Sequence, residues 1–544
     1  VTPRSRVAAA VAAATAVIAA LAACAPEAPG SGSDAGTGGQ AVADPTLTIA
    51  TTTDVVNFNP LVGNSRSDYW ITNLMYPHLL SIGADGQKAP ELAEKWGYVN
   101  STTGFYELKP GMKWSDGKPL TAKDVAYTLN AVKKDAPAGT LYGQLTNFAS
   151  ATAVSDTRVE IKLSKPDASL IPEIGFWGNV VPQHVFEPAG SVAAFANDGK
   201  NGGWVSAGPY VLKSVQRGQS YTMERVDNYP LVPGGKPKAA KVVYRVYPDV
   251  NAEILSLKNG DVDAIANTLP PAQVKNLKST PGITVEEVPG LGYAHLTYNM
   301  TKPALAKKDV RLALAQTVDY NAIRKVVLQD QAVSTGSSPI MPVLKTFYDD
   351  SLKEYEYNPD AARKLLEQAG YVADGNGKFP LNFRMIYSLQ DPVTTQWANL
   401  VKDGAAKAGV TVQLQGLERN TYLAKTNAGD FDIYAGNFAI MDDPATNMAL
   451  TYLPKGAINY SYVDDPQLNA LIEKARVTFD QKEQVPILQQ AAKLVHDNVY
   501  DNVMYTQNLF VAHRSEWSGF SVKPSELLSI VNPVSVASAT KTAK

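Results

Sequence analysis

A single cysteine sets the terms on which this chain can fold. Cys24 is the only one in 544 residues, so no disulfide can form within the chain. It ends an Ala- and Val-rich run, Val7 to Ala23, that follows Arg4 and Arg6. A positive n-region, an apolar stretch and small residues ahead of a cleavage point have the form of a secretory signal. The run is too short, and too poor in large apolar side chains, to be a convincing membrane span. An exported chain without disulfides must hold itself together by burying a core, which this length permits. It is too long for one compact core, and about two or three domains are expected.

The last three residues of the run and the cysteine after it, Leu21-Ala22-Ala23-Cys24, resemble the bacterial lipobox, in which the cysteine is acylated and becomes the new N-terminus. Residues 1–23 then read as a lipoprotein signal peptide and Cys24 as the lipid attachment site. The protein is expected at the cell membrane, lipid-anchored, facing the extracytoplasmic side. An ordinary signal peptide with a chance cysteine is the plainer alternative. Residues 24–43 are small, polar and rich in Gly, Pro and Ser, and cannot bury enough apolar surface to fold. They read as a flexible leash. The folded body begins near Asp44-Pro45, where Thr46 to Ala50 reads as the first strand.

The formal net charge is -2, which leaves no electrostatic footprint for nucleic acid. Strand and helix patterns alternate without a solenoid repeat, which points to an α/β or α+β protein. Phe105 to Leu108 alternates as a strand, Gly111 to Ser115 continues it, and Asp116-Gly117 supplies a turn. Thr121-Ala122-Lys123-Asp124 has capping-box spacing and opens a helix with Val125, Leu129 and Val132 on its apolar face. Asn358-Pro359 starts another helix, ended by Gly370, and Asp309 is expected to cap a third. Further strands are expected at 241–247, 295–299, 381–387, 410–414 and 431–438.

Catalytic signatures are missing. His78, His184, His295, His496 and His513 are scattered, with no zinc-protease spacing. There is no nucleophile elbow, P-loop or dinucleotide fingerprint. Asp374-Gly375-Asn376-Gly377-Lys378 has a superficial likeness to a calcium loop, but Lys378 stands where a ligand belongs, so a turn is expected. The adjacent acids Asp349-Asp350 and Asp464-Asp465 read as turn and cap residues. No cofactor, no metal and no enzymatic activity are expected, and an exported hydrolase is the least favoured alternative.

From residue 90 onward the chain resembles the extracytoplasmic solute-binding proteins of ABC importers, in the family that includes dipeptide- and oligopeptide-binding proteins. The resemblance lies in Pro90-Glu91-Leu92-Ala93-Glu94-Lys95-Trp96 and in Gly111-Met112-Lys113-Trp114-Ser115-Asp116-Gly117 with the residues after it to Val125. Gly208-Pro209-Tyr210, Gly260-Asp261-Val262-Asp263, Asn358-Pro359-Asp360 and Phe431-Asp432-Ile433 follow in the family's order. The resemblance implies a two-lobed α/β clamshell with an additional inserted domain. Lobe I would comprise 44–84, 207–296 and 510–544, the inserted domain 85–206, and lobe III 297–509. It also implies a small solute, most commonly a peptide, delivered to membrane permease subunits by a monomeric receptor; a sugar, metal chelate or other small polar compound is the alternative. Trp96, Trp114 and Asp116 are expected to pack or cap and not to touch ligand.

In peptide-binding relatives, the strand after the Phe-Asp pair runs through Gly-Trp and an acid to a Pro. That acid accepts the ligand's ammonium. Here the run is Phe431 to Pro444, and the resemblance places Gly436, Asn437, Phe438 and Ala439 along the ligand. The usual acid falls on Ile440 or Met441, which cannot be counter-ions. Asp442 and Asp443 are the nearby acids, displaced along the chain, and a one-residue shift turns a strand side chain to the other face. Arg419 falls where oligopeptide binders carry an aromatic pocket residue, and would suit a ligand carboxylate or a solvated face alike.

Overall fold

The computed structural model describes residues 40–62, 65–200 and 202–543. Cys24 and most of the 24–43 leash lie outside them. Three sheets carry the fold. The first has seven strands and grows around Thr46–Thr51, which pairs in parallel with Lys241–Val246 and with Ala264–Ile265. Leu47 and Ile49 enter one core and Ala50 another, because successive side chains of a strand face opposite ways. The signature acid Asp263 locks this sheet. Its carboxylate accepts from Thr48 N–H at 2.8 Å and from the buried Trp517 Nε1–H at 2.7 Å, tying the first strand to the C-terminal segment.

The second sheet has six strands. Ile433–Phe438 lies between Tyr293–Tyr298, antiparallel, and Asn382–Ser388, parallel. Asn382–Ser388 also pairs in parallel with Thr411–Leu417, and the helix Pro392–Lys407 between them buries Trp397 completely. The third sheet is antiparallel, with order Ala93–Asn100, Thr103–Leu108, Arg158–Leu163, Phe148–Ala153. Ala122–Asp135 packs on it through Val125, Leu129 and Val132, and the Thr121/Asp124 capping box is formed. Trp114 is buried in the core that also holds Leu47 and Tyr244, and Trp96 packs against it. Asp116 accepts a hydrogen bond from the Lys118 N–H and meets His184 Nε2 at 2.7 Å.

Several local expectations shift. Residues 111–115 do not extend the strand; only Lys113 bridges Pro119 across the Asp116-Gly117 turn. The helix Lys308–Gln316 starts a residue before Asp309, which sits in its first turn near the positive end of the helix dipole instead of capping it. Tyr293–Tyr298 begins two residues early, because Tyr293 pairs with Phe438. Asn358 does cap Pro359–Gln368, and Asp465 caps Pro466–Arg476. The Asp374 carboxylate accepts from Asn376 and Lys378 N–H groups, both at 2.9 Å, which is a turn and not a cation loop.

The chain passes between the seven- and six-stranded sheets at two adjacent places. One follows Ile283–Val288 and enters Tyr293–Tyr298; the other is Asn508, between Asn502–Gln507 and Leu509–Arg514. Val288 pairs with Leu509 on one side and Ala294 with Tyr505 on the other, so the crossovers run together. Thr506 Oγ1–H donates to Gly290 O at 3.1 Å between them. Gly292 is needed here: a Cβ on it would stand 2.1 Å from the Phe438 carbonyl oxygen.

Candidate functional site

The strand Ile433–Phe438 ends at the crossovers. Its last residues, with Ala439, form one wall of a cleft of about 180 Å³. Asp391 adds to that wall, Arg66, Thr268 and Glu526 face it from the seven-stranded side, and the crossover residues form the floor. Asn437 is exposed and donates through Nδ2 to Asp391 Oδ2 at 2.8 Å. Asp391 is fixed in turn as the N-cap of Pro392–Lys407, accepting from the Val393 and Thr394 N–H groups. Arg66 pairs with Glu526. The cleft thus carries an amide, a carboxylate and an ion pair around an aromatic patch.

Phe438 supplies that patch. Its ring lies half-buried, 4.5 Å centroid to centroid from His295 and 5.5 Å from Tyr293. His295 Nδ1 sits 2.9 Å from both oxygens of Asp501, which also accepts from Thr297 Oγ1–H at 3.1 Å and Tyr452 O–H at 3.2 Å. The platform therefore rests on a buried polar cluster. Gly436, one step back, is enclosed: a Cβ there would meet the hydroxyls of Tyr434 and Tyr422 at 2.3 and 2.5 Å. It lets the tyrosines close behind the wall.

The acids at the end of this run lie apart from the cleft. Asp442 is buried and ion-paired to Lys88, whose Nζ also lies 2.9 Å from Glu173 Oε1. Burial pulls the Lys88 ammonium down, but the Asp442 and Glu173 charges outweigh it and hold its pKa above the usual range. Asp443 caps Pro444–Tyr452 and accepts from Ser169 Oγ–H at 2.8 Å. Both line a separate cavity of about 300 Å³ beside Trp96 and Tyr98. Arg419 is the exposed first residue of Arg419–Asn427 and does not border the cleft. The structure thus gathers Asn437, Phe438 and Ala439, and sets Asp442, Asp443 and Arg419 elsewhere. Asp391 had a readable signal, an Asp-Pro helix start like Asn358-Pro359; Arg66, Thr268 and Glu526 had none.

Two sheet-based lobes, joined by paired crossovers around a polar and aromatic cleft, define a two-lobed solute-binding protein. Residues 88–460 match the family described as bacterial extracellular solute-binding proteins, family 5 Middle, and the chain belongs to that family. It is a solute-binding protein and not an enzyme. It is 26% identical over 503 residues to the probable D,D-dipeptide-binding periplasmic protein DdpA of Escherichia coli strain K12, covering 89% of this chain and 93% of that one. The fold is similar to the ABC transporter substrate-binding protein CtaP of Listeria monocytogenes, with a TM-score of 0.81 at 23% identity over 92% of this chain and all of that one. NikZ of Campylobacter jejuni, solved with Ni(L-His), gives 0.75 at 19% identity, with 92% of this chain and 100% of NikZ covered. No helix among the described residues is long and apolar enough to cross a membrane.

Proposed function

We propose that this protein is the lipid-anchored receptor of an ABC importer, and that it captures short peptides between its lobes for a membrane permease. The cleft carries the reading: both sheets contribute side chains to one concavity, and the strand end Asn437-Phe438-Ala439 borders it. Domain interfaces are where small-molecule sites favour forming. The name of the DdpA relative supports a peptide as the ligand. The lobes of this reading are 44–84 with 207–296 and 510–544, and 297–509, with 85–206 inserted; the crossovers serve as the hinge. Closure follows if ligand binds the closed form more tightly than the open one.

Titration with short peptides tests this, with small-angle scattering to follow shape. A bound peptide is expected to contract the particle and remain chemically unchanged. Phe438→Ala removes aromatic area from the cleft and should weaken peptide binding by about 1–3 kcal/mol. Release of a cleaved product would overturn the receptor reading.

A second reading, a non-peptide solute, has its own support. Ile440 and Met441 occupy the places of the usual ammonium acceptor, and the Asp442 carboxylate is engaged by Lys88. Failure of every peptide to bind a folded wild type would favour it.

The anchor rests on Cys24, which lies outside the described residues. Cys24→Ser is expected to leave the protein folded while releasing it from membranes on fractionation. A mutant still firmly in the membrane fraction would refute lipid attachment at this residue.

A further inference from the structure

Glu253 has an unusual position. It lies one turn into the helix Val250–Asn259, which Asp249 caps through the Asn251 and Ala252 N–H groups. Ile254 and Leu257 pin the helix to its core. Glu253 is fully buried, yet neither of its carboxyl oxygens has a hydrogen-bond partner. It borders a cavity of about 450 Å³ together with Thr52, Asn267 and Gln390. Arg66, Thr268 and Glu526 line both this cavity and the cleft, so the two adjoin across those residues.

Buried polar groups are almost always paired, and an unpaired one asks for an explanation. The nearby charges offer none. Asp249 is of like sign, Glu526 is another acid, and Arg66 is paired with Glu526. Asp391, the acid on the strand-end wall, is engaged by Asn437 and by the Val393 and Thr394 N–H groups, whereas Glu253 has no partner.

We propose that Glu253 is the acceptor for a cationic group of the ligand, binding a primary ammonium from the seven-stranded side of the cleft. The proposal rests on the peptide-receptor reading and names the end of the ligand that this side recognises. In the free protein, burial pushes the Glu253 carboxyl up to about 8, with Asp249 adding to the shift, so the group is held neutral until a cation arrives. An entering ammonium supplies both the donors and the counter-charge that the ionised form needs.

The test uses wild type and Glu253→Gln with two pools of tri- to pentapeptides made only of Gly, Ala, Ser and Val. One pool has free N-termini and the other is N-acetylated, so the α-ammonium is the only cation that differs. Wild type is expected to prefer the free pool, and Glu253→Gln to bind that pool roughly 10- to 100-fold more weakly with the preference lost. Equal binding of both pools by wild type, or an unchanged preference in Glu253→Gln, overturns the role of Glu253 and leaves the peptide reading standing. Binding of neither pool by folded wild type overturns both. A melting series checks that the variant folds and reports on the carboxyl without ligand. Its pKa rises from 4.5 to about 8 on folding, so the folded chain holds the proton more tightly. That contribution is complete below pH 4.5 and is lost as pH rises through 8. Glu253→Gln should therefore lose less stability than wild type between pH 5 and pH 8; identical pH profiles would show that this carboxyl is not buried and unpaired as described.

Discussion

Lys88→Met is expected to destabilise the protein by about 3–5 kcal/mol, the cost of stranding buried charge. Lys88 is the cation of a cluster that holds the 85–206 segment against the end of the cleft strand. Its side chain is 12% exposed, and those of its partners Asp442 and Glu173 are 3% and 6% exposed. Its ammonium also lies 4.3 Å from the centre of the Phe176 ring. Met preserves most of the stem's packing, so the loss falls on the two acids, which are left close together without a counter-ion; burial already holds the Glu173 carboxyl above its usual range. Asp442→Leu and Glu173→Leu added to Lys88→Met should recover most of the stability, since a buried ion cluster is often no better than an apolar one of similar volume. Denaturant midpoints measured at unchanged slope read both effects. A single variant as stable as wild type would mean that water reaches the cluster.

The cluster has companions along the same seam. Arg476 donates to Asp167 at 2.9 Å, Ser169 to Asp443 at 2.8 Å, and the Tyr98 and Phe479 rings meet at 4.6 Å. Ile82 and Phe176 share a core with Met441, Met448 and Leu488. Removing Lys88 should therefore loosen this seam ahead of the rest of the molecule, which protection of backbone amides around 440–450 would report.

Asp501→Leu is expected to cost about 3 kcal/mol or more. Asp501 is 1% exposed and accepts from His295, Thr297 and Tyr452. A carboxylate only accepts, so each of those groups donates to it. Leu would take the carboxylate acceptor away from three buried groups, and each one left unsatisfied costs about 1–3 kcal/mol. Asp501→Asn keeps one acceptor oxygen and should retain part of the stability. Because Phe438 packs on His295, the Leu variant should also bind ligand more weakly, whereas Phe438→Ala should weaken binding with a smaller effect on stability. Calorimetric melting and ligand titration on the three variants separate the two effects. Full stability in Asp501→Leu would mean that the donors find other partners.

Local chemistry made much of the scaffold legible. The Thr121/Asp124 capping box, the Asn358-Pro359 start and the Thr46 to Ala50 alternation predict elements that form, because each depends on residues a few positions apart. Their errors are also local. The strand expected from His295 begins at Tyr293 because that residue pairs with Phe438, and Asp309 looks like a cap until the helix is seen to begin before it.

The candidate site divides along the same line. Asn437, Phe438 and Ala439 could be found because one strand carries them in a recognisable run. What the neighbouring acids do could not, since the Lys88 that engages Asp442 comes from 354 residues away. Arg66, Thr268, Asp391 and Glu526 meet in one cleft from four separate segments, and no periodicity links them. By itself the sequence determined the element types, the absence of disulfides and the family's scaffold, all consequences of short-range pattern and composition. Only the tertiary structure decided which charges neutralise one another and which, like Glu253, remain without a partner, because burial and pairing are properties of the assembled sheets.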